Sequence, residues 1–113
     1  IADSISVDLP RDGVRAVRAA RDTGGEYLTV TDDEIIASIA DLGRVGIFAE
    51  PAGSAAYAGL KKAIQLTKIT PEDPVLVINT GSGLKDIRAA VMAVPEAPVI
   101  EPSMKALKAY LGM

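Results

Sequence analysis

The stretch Val75-Leu76-Val77-Ile78-Asn79-Thr80-Gly81-Ser82-Gly83-Leu84-Lys85-Asp86, VLVINTGSGLKD, runs four consecutive apolar residues straight into a glycine-rich turn. An apolar tetrad without alternation reads as a central parallel strand covered on both faces, because a strand with one wet face alternates. The turn presents the Thr80 hydroxyl and several unhindered amides just before a helix expected from Lys85 to Met92. Strand ends of this kind are where α/β proteins commonly hold ligands. The turn is not a P-loop, since the Gly-Lys-Ser/Thr ending is absent, and it lacks the third glycine of a dinucleotide fingerprint. A plain structural turn, or a contact to a ring heteroatom or an anion, both fit Thr80-Gly81-Ser82-Gly83 taken alone.

Working outward from this stretch, strand and helix patterns alternate along the chain. Residues 1–9 have apolar residues at 1, 5, 7 and 9, the period of an extended segment, which Pro10 ends. Asp12 to Asp22 is helical in pattern, with Gly24-Gly25 as its stop. Tyr27-Leu28-Thr29-Val30 reads as a short strand, and Thr31-Asp32-Asp33-Glu34 has capping-box spacing ahead of a helix carrying Ile35, Ile36, Ile39 and Leu42. Ile47-Phe48-Ala49 is a further strand, closed by Glu50-Pro51, and a helix follows from Ser54 to about Leu66. After the VLVINTGSGLKD unit, residues 95–102 form a proline-punctuated connector with a brief extended Val99-Ile100. Ser103 can cap a last helix bearing Met104, Leu107 and Leu111. Alternation with short connections predicts an α/β class: a mostly parallel sheet with helices on both faces.

The totals narrow the function classes. The 113 residues suit one domain or part of one, and 49% are apolar, with one Phe and no Trp, so the core must be built from Ala, Val, Ile and Leu. A net charge of −3 without long like-charge runs gives no reason to expect nucleic acid or an anionic membrane. The absence of Cys and His removes thiolate chemistry, disulfides and the commonest metal ligands and general base, so no metal site is expected. No apolar run reaches the roughly 20 residues of a membrane span, and a cytoplasmic location is the default expectation. The chain starts at Ile1 rather than Met, from which a piece of a longer protein is expected.

A second strand end, Gly46-Ile-Phe-Ala-Glu50-Pro51-Ala52-Gly53-Ser54, runs through small residues into a helix. Two strand ends of a parallel sheet open onto one edge, so Glu50 and Thr80 are candidates to line one crevice, the alternative for Glu50 being simple solvation beside a proline turn. Arg11, Arg15, Arg18 and Arg21 recur at helical spacing and read first as a solvated helix face. Asp32-Asp33 is accounted for by capping and the helix dipole rather than by a metal. Lys61-Lys62 is expected on the surface.

Taken together and in this order, GIFAEPAGSAAYAGL and VLVINTGSGLKD resemble the C-terminal part of the threonine synthase family, among the fold type II pyridoxal phosphate enzymes. ADSISVDLPRD, the TGG helix end and VTDDEI extend the resemblance over residues 2 to about 92. The resemblance implies part of the large domain of such an enzyme, with residues 1–94 in its cofactor-binding portion and 95–113 as connector and terminal helix. It implies pyridoxal 5'-phosphate as cofactor, with Thr80 on the pyridine nitrogen and Glu50, Ala52 and Gly81 lining the same cleft. The implied reaction of the full-length enzyme turns O-phosphohomoserine and water into threonine and phosphate. A small amino-acid substrate and a homodimer are implied with it. The family's Schiff-base lysine lies in an upstream segment similar to Ser-Phe-Lys-Asp-Arg, absent here along with the glycine-rich phosphate loop. Lys85 is therefore not assigned as that lysine, no catalytic residue is expected in this chain, and the chain alone is expected to be inactive. Threonine dehydratase and cysteate synthase share the scaffold, and a non-catalytic α/β binding module is the alternative of a different class.

Overall fold

The computed structural model describes residues 1–113. Five α-helices account for the regular structure: α1 (Gly13–Thr23), α2 (Asp32–Arg44), α3 (Pro51–Gln65), α4 (Ile87–Met92) and α5 (Met104–Tyr110). Short 3₁₀ turns form at Asp3–Ile5 and Gly83–Lys85. The helix ends follow local chemistry. Gly24 closes α1 in the left-handed conformation at φ 67°, which a side chain would strain. Thr31 and Glu34 make a reciprocal capping box at the start of α2: the Glu34 amide donates to Thr31 Oγ1 at 3.2 Å, and the Thr31 amide donates to Glu34 Oε2 at 2.7 Å. Pro51 sits in the first turn of α3, where its missing N–H costs nothing. Ser103 accepts from the Ala106 amide to begin α5.

The packed centre is the α2/α3 pair, with α4 against α2 and the first 3₁₀ turn against α3. Ile35, Ile39 and Leu42 of α2 are buried, as are Ala52, Ala58 and Ala63 of α3. Alanines on one helix let the other approach closely, and each buried Ile or Leu contributes about 1.5–3 kcal/mol. Lys61 and Lys62, expected at the surface, are half-buried and join the two helices: Lys61 donates to Asp41 at 2.5 Å and Lys62 to Glu34 at 2.7 Å. Lys61 also lies 5.9 Å from the centre of the Tyr57 ring.

The expected parallel sheet is absent. Residues 1–9, 27–30, 47–49, 75–78 and 99–100 contain no named strand, and the β pairing is a single antiparallel bridge between Ala49 and Ser82. The apolar patterns predict extended backbone, but the first segment contains the 3₁₀ turn at Asp3–Ile5 and the others form no regular element beyond the bridge at Ala49. A sheet, however, needs a second strand alongside to take up the N–H and C=O groups. In this chain no two of these segments lie side by side in that way. The α/β class with helices on both faces of a sheet is thus replaced by helices joined by segments without strand partners, apart from the bridge between Ala49 and Ser82.

This arrangement leaves much apolar surface uncovered. Only 14 of the 113 residues are buried, and Leu76, Ile78 and Val99 are 87%, 68% and 100% exposed. The Cα radius of gyration is 18.4 Å, against about 13 Å for a closed domain of this length. No helix is long and apolar enough to cross a membrane.

The ion pairs across α2 and α3 give the pairing a pH dependence. The Lys62 ammonium, then the Thr31 amide, holds the Glu34 carboxyl below its ordinary value, and Lys61, with Arg44 behind it, does the same for Asp41. A carboxylate depressed in the folded state contributes stability that is complete above its unfolded pKa and is lost as pH falls through the folded value. Helicity of α2 and α3 is therefore expected to hold near neutral pH and to weaken on acidification below about pH 4. Circular dichroism melts of the wild type and Glu34→Gln/Asp41→Asn check this, the double variant showing a flatter acid profile.

Candidate functional site

The two strand ends singled out in the sequence do meet, through the antiparallel bridge rather than along the edge of a parallel sheet. The Glu50 amide donates to the Gly81 carbonyl at 3.1 Å, and the Gly83 amide donates to the Phe48 carbonyl at 2.9 Å. Residues 48–50 and 81–83 are thereby locked face to face, directly ahead of α3 on one side and of the Gly83–Lys85 turn on the other. Ser82 caps that turn by accepting from the Leu84 amide, and Asp86 caps α4 by accepting from the Ala89 amide at 2.9 Å.

Glycines make the close approach possible. A Cβ on Gly81 would stand 2.6 Å from Glu50 Cγ and nearer still to the carboxylate. A Cβ on Gly83 would stand 2.8 Å from Phe48 Cζ, and one on Gly53, in the first turn of α3, 3.0 Å from the Gly81 amide nitrogen. The glycines of GSG and PAG are thus required by contact between the two motifs, a reason that neither motif shows by itself.

Of the candidate residues, Glu50, Ala52 and Gly81 are brought together. Glu50 is 6% exposed, with its side chain across Gly81, and Ala52 is buried in the first turn of α3. Simple solvation of Glu50 is excluded by this burial. Thr80, two residues before the bridged Ser82, is exposed, and its hydroxyl makes no hydrogen bond within the chain. The amides of Thr80 and Gly81 likewise donate to nothing in the chain.

The group that sequence reasoning missed is Lys85 as a partner of Glu50. Its ammonium lies 3.5 Å from Glu50 Oε1, across 35 residues of sequence. A shallow cleft of about 250 Å³ at this point is lined by Asp3, Ser4, Glu50, Pro51, Lys85 and Asp86, together with Ile1. The pairing carries no local signal, because nothing in GLKD states which carboxylate it will face. A second unanticipated feature is the Ser54 hydroxyl, fully buried in α3 without a hydrogen-bond partner. The arginines of α1 are exposed, with Arg15 paired to Asp12 at 3.3 Å, as a solvated face requires.

Residues 1–81 match the pyridoxal-phosphate dependent enzyme family, and the chain belongs to that family. More particularly, it is 39% identical to a threonine synthase of Methanocaldococcus jannaschii over 98% of its own length, covering 28% of that protein. It is 35% identical to the threonine synthase of Methanosarcina acetivorans over 96% of the chain and 27% of the relative. With that of Halalkalibacterium halodurans it shares 38% identity over 91% of the chain and 29% of the relative. The chain therefore spans under a third of the length of the curated relatives it matches.

The residues present fit one edge of the family's cofactor. An exposed hydroxyl without an internal partner, next to unhindered glycine backbone, is suited to a heteroatom at the rim of a planar ring. A test of the close approach contrasts two glycines. Gly81→Ala is expected to destabilise the chain by about 1–3 kcal/mol by displacing the Glu50 carboxylate. Gly59→Ala, where a Cβ would meet nothing within 4 Å, is expected to stabilise α3 by about 0.5–1 kcal/mol. Urea denaturation followed by helical ellipticity measures both.

Proposed function

We propose that this chain is the C-terminal portion of a threonine synthase, which in full converts O-phosphohomoserine and water to threonine and phosphate. The observation that carries the reading is the meeting of Glu50 at the start of α3 with Gly81, leaving Thr80 exposed and unpartnered beside it. Its support from relatives is that proteins matched over nearly the whole chain are named threonine synthase.

On this reading Thr80 donates its hydroxyl hydrogen to the pyridine nitrogen, while Ala52, Gly81 and the buried Glu50 shape the wall of the cleft. Pyridoxal phosphate, when bound, supplies an electron sink for charge developing on the amino-acid substrate. A neutral hydroxyl leaves the ring nitrogen largely unprotonated, whereas a carboxylate there would favour the pyridinium form and a stronger sink. Residues 1–94 belong to the cofactor-binding portion and 95–113 to a connector and terminal helix. The full enzyme works as a homodimer, and the lysine that binds the cofactor covalently lies upstream of these residues.

Lys85 faces Glu50 as a charged partner at 3.5 Å, an arrangement that supports an ionic role over that of the cofactor-binding lysine. The uncovered apolar residues of 75–78 argue against a free-standing binding module, which would bury them. In the full-length enzyme, Thr80→Val is expected to lower turnover by about tenfold or more, as loss of a hydrogen bond to a reacting system does. The absorbance of the bound cofactor is expected to shift with it. Unchanged turnover and an unchanged spectrum would refute the role of Thr80. Borohydride reduction followed by peptide mass mapping is expected to find the cofactor on an upstream lysine, and a stoichiometric adduct on Lys85 would overturn the assignment.

A further inference from the structure

We propose that Lys85 is a positioning residue: through its ion pair with the buried Glu50 carboxylate it holds the Asn79–Ser82 turn, and with it Thr80, against the start of α3. Glu50 is 6% exposed and lies across Gly81, where there is no room for even a methyl group. A carboxylate so withdrawn from water needs a compensating charge, and the only side-chain cation within ion-pair distance is Lys85 at 3.5 Å. Lys85 is also the one basic side chain lining the cleft that Glu50 shares with Asp3 and Asp86.

The geometry links this pair to the turn by three connections. The Glu50 amide bonds to the Gly81 carbonyl, the Gly83 amide bonds to the Phe48 carbonyl, and Lys85 ends the 3₁₀ turn that begins at Gly83. Removing the ammonium leaves Glu50 buried without its partner, and the carboxylate is then drawn outward to water. That movement withdraws the side chain lying on Gly81, which loosens the turn carrying Thr80. Lys85 itself is 64% exposed in its side chain, so its replacement disturbs no core packing.

The inference rests on the proposed role of Thr80 only for its effect on cofactor; the coupling of Lys85 to the turn stands apart from it. In the holoenzyme containing this sequence, Lys85→Met is expected to speed amide hydrogen exchange at Glu50 and Gly83, whose N–H groups join the two segments, by about tenfold or more. It is also expected to shift the absorbance of bound cofactor. Lys85→Arg keeps the charge and is expected to restore both to within about twofold of wild type. Glu50→Gln, which removes the buried charge, is expected to leave exchange near the wild-type rate and to suppress the Lys85→Met effect in the double variant, the signature of one shared interaction. Unchanged exchange in Lys85→Met, or failure of Lys85→Arg to rescue, overturns the proposal. Thr80→Val measured in parallel separates the two readings. If it leaves the cofactor spectrum unchanged while Lys85→Met still loosens the turn, the cofactor contact fails and the positioning role survives.

Discussion

Two backbone hydrogen bonds between residues 48–50 and 81–83, 3.1 and 2.9 Å long, hold together parts of the chain more than thirty residues apart. Everything assigned to the site depends on them. They set Glu50 over Gly81, bring the first turn of α3 against the glycine-rich turn, and leave Thr80 facing outward. Because the bridge is so short, it depends on what stands around it: the α2/α3 pair anchors one side, and the capped turn leading to α4 anchors the other. The side chains reinforce what two bonds would hold weakly. A buried carboxylate set against a glycine and faced by a lysine ties the same two segments at a third point.

The uncovered surface follows from the same architecture. Segments 27–30, 47–49 and 75–78 carry apolar residues suited to a sheet but have no neighbouring strand in this chain, so side chains such as Leu76 and Ile78 stay in water. A chain that buries 14 of 113 residues and spreads to a radius of gyration of 18.4 Å is held by one helix pair and its attachments rather than by a closed core. That fits a chain covering under a third of the threonine synthases it resembles.

Family membership and geometry answer different questions. The match over residues 1–81 assigns the chain to the pyridoxal-phosphate dependent enzymes, while the relation between Glu50, Gly81 and Lys85 comes from the structure alone. Lys85 shows the difference most clearly. In sequence it is a lysine beside an aspartate, superficially like a cofactor-binding lysine; in space it is the counter-charge of a buried glutamate.

Local chemistry was legible in the residues themselves. The capping box of Thr31 and Glu34, the left-handed Gly24, the Ser103 cap and the helical spacing of Ile35, Ile39 and Leu42 all involve neighbours within one or two turns, and each is present as the pattern predicts. The meeting of the Glu50 and Thr80 segments was expected from two strand ends on one edge of a parallel sheet, and it comes about instead through an antiparallel bridge. The absence of a sheet was not legible, because an apolar tetrad such as Val75–Ile78 favours extended backbone and says nothing of what lies beside it. Nor were the Lys61 and Lys62 links to α2, or the contact of Lys85 with Glu50. Hydrogen bonds and ion pairs between residues distant in sequence depend on where packing brings their backbones, so only the tertiary structure could decide which strand lacks a partner and which carboxylate gains one.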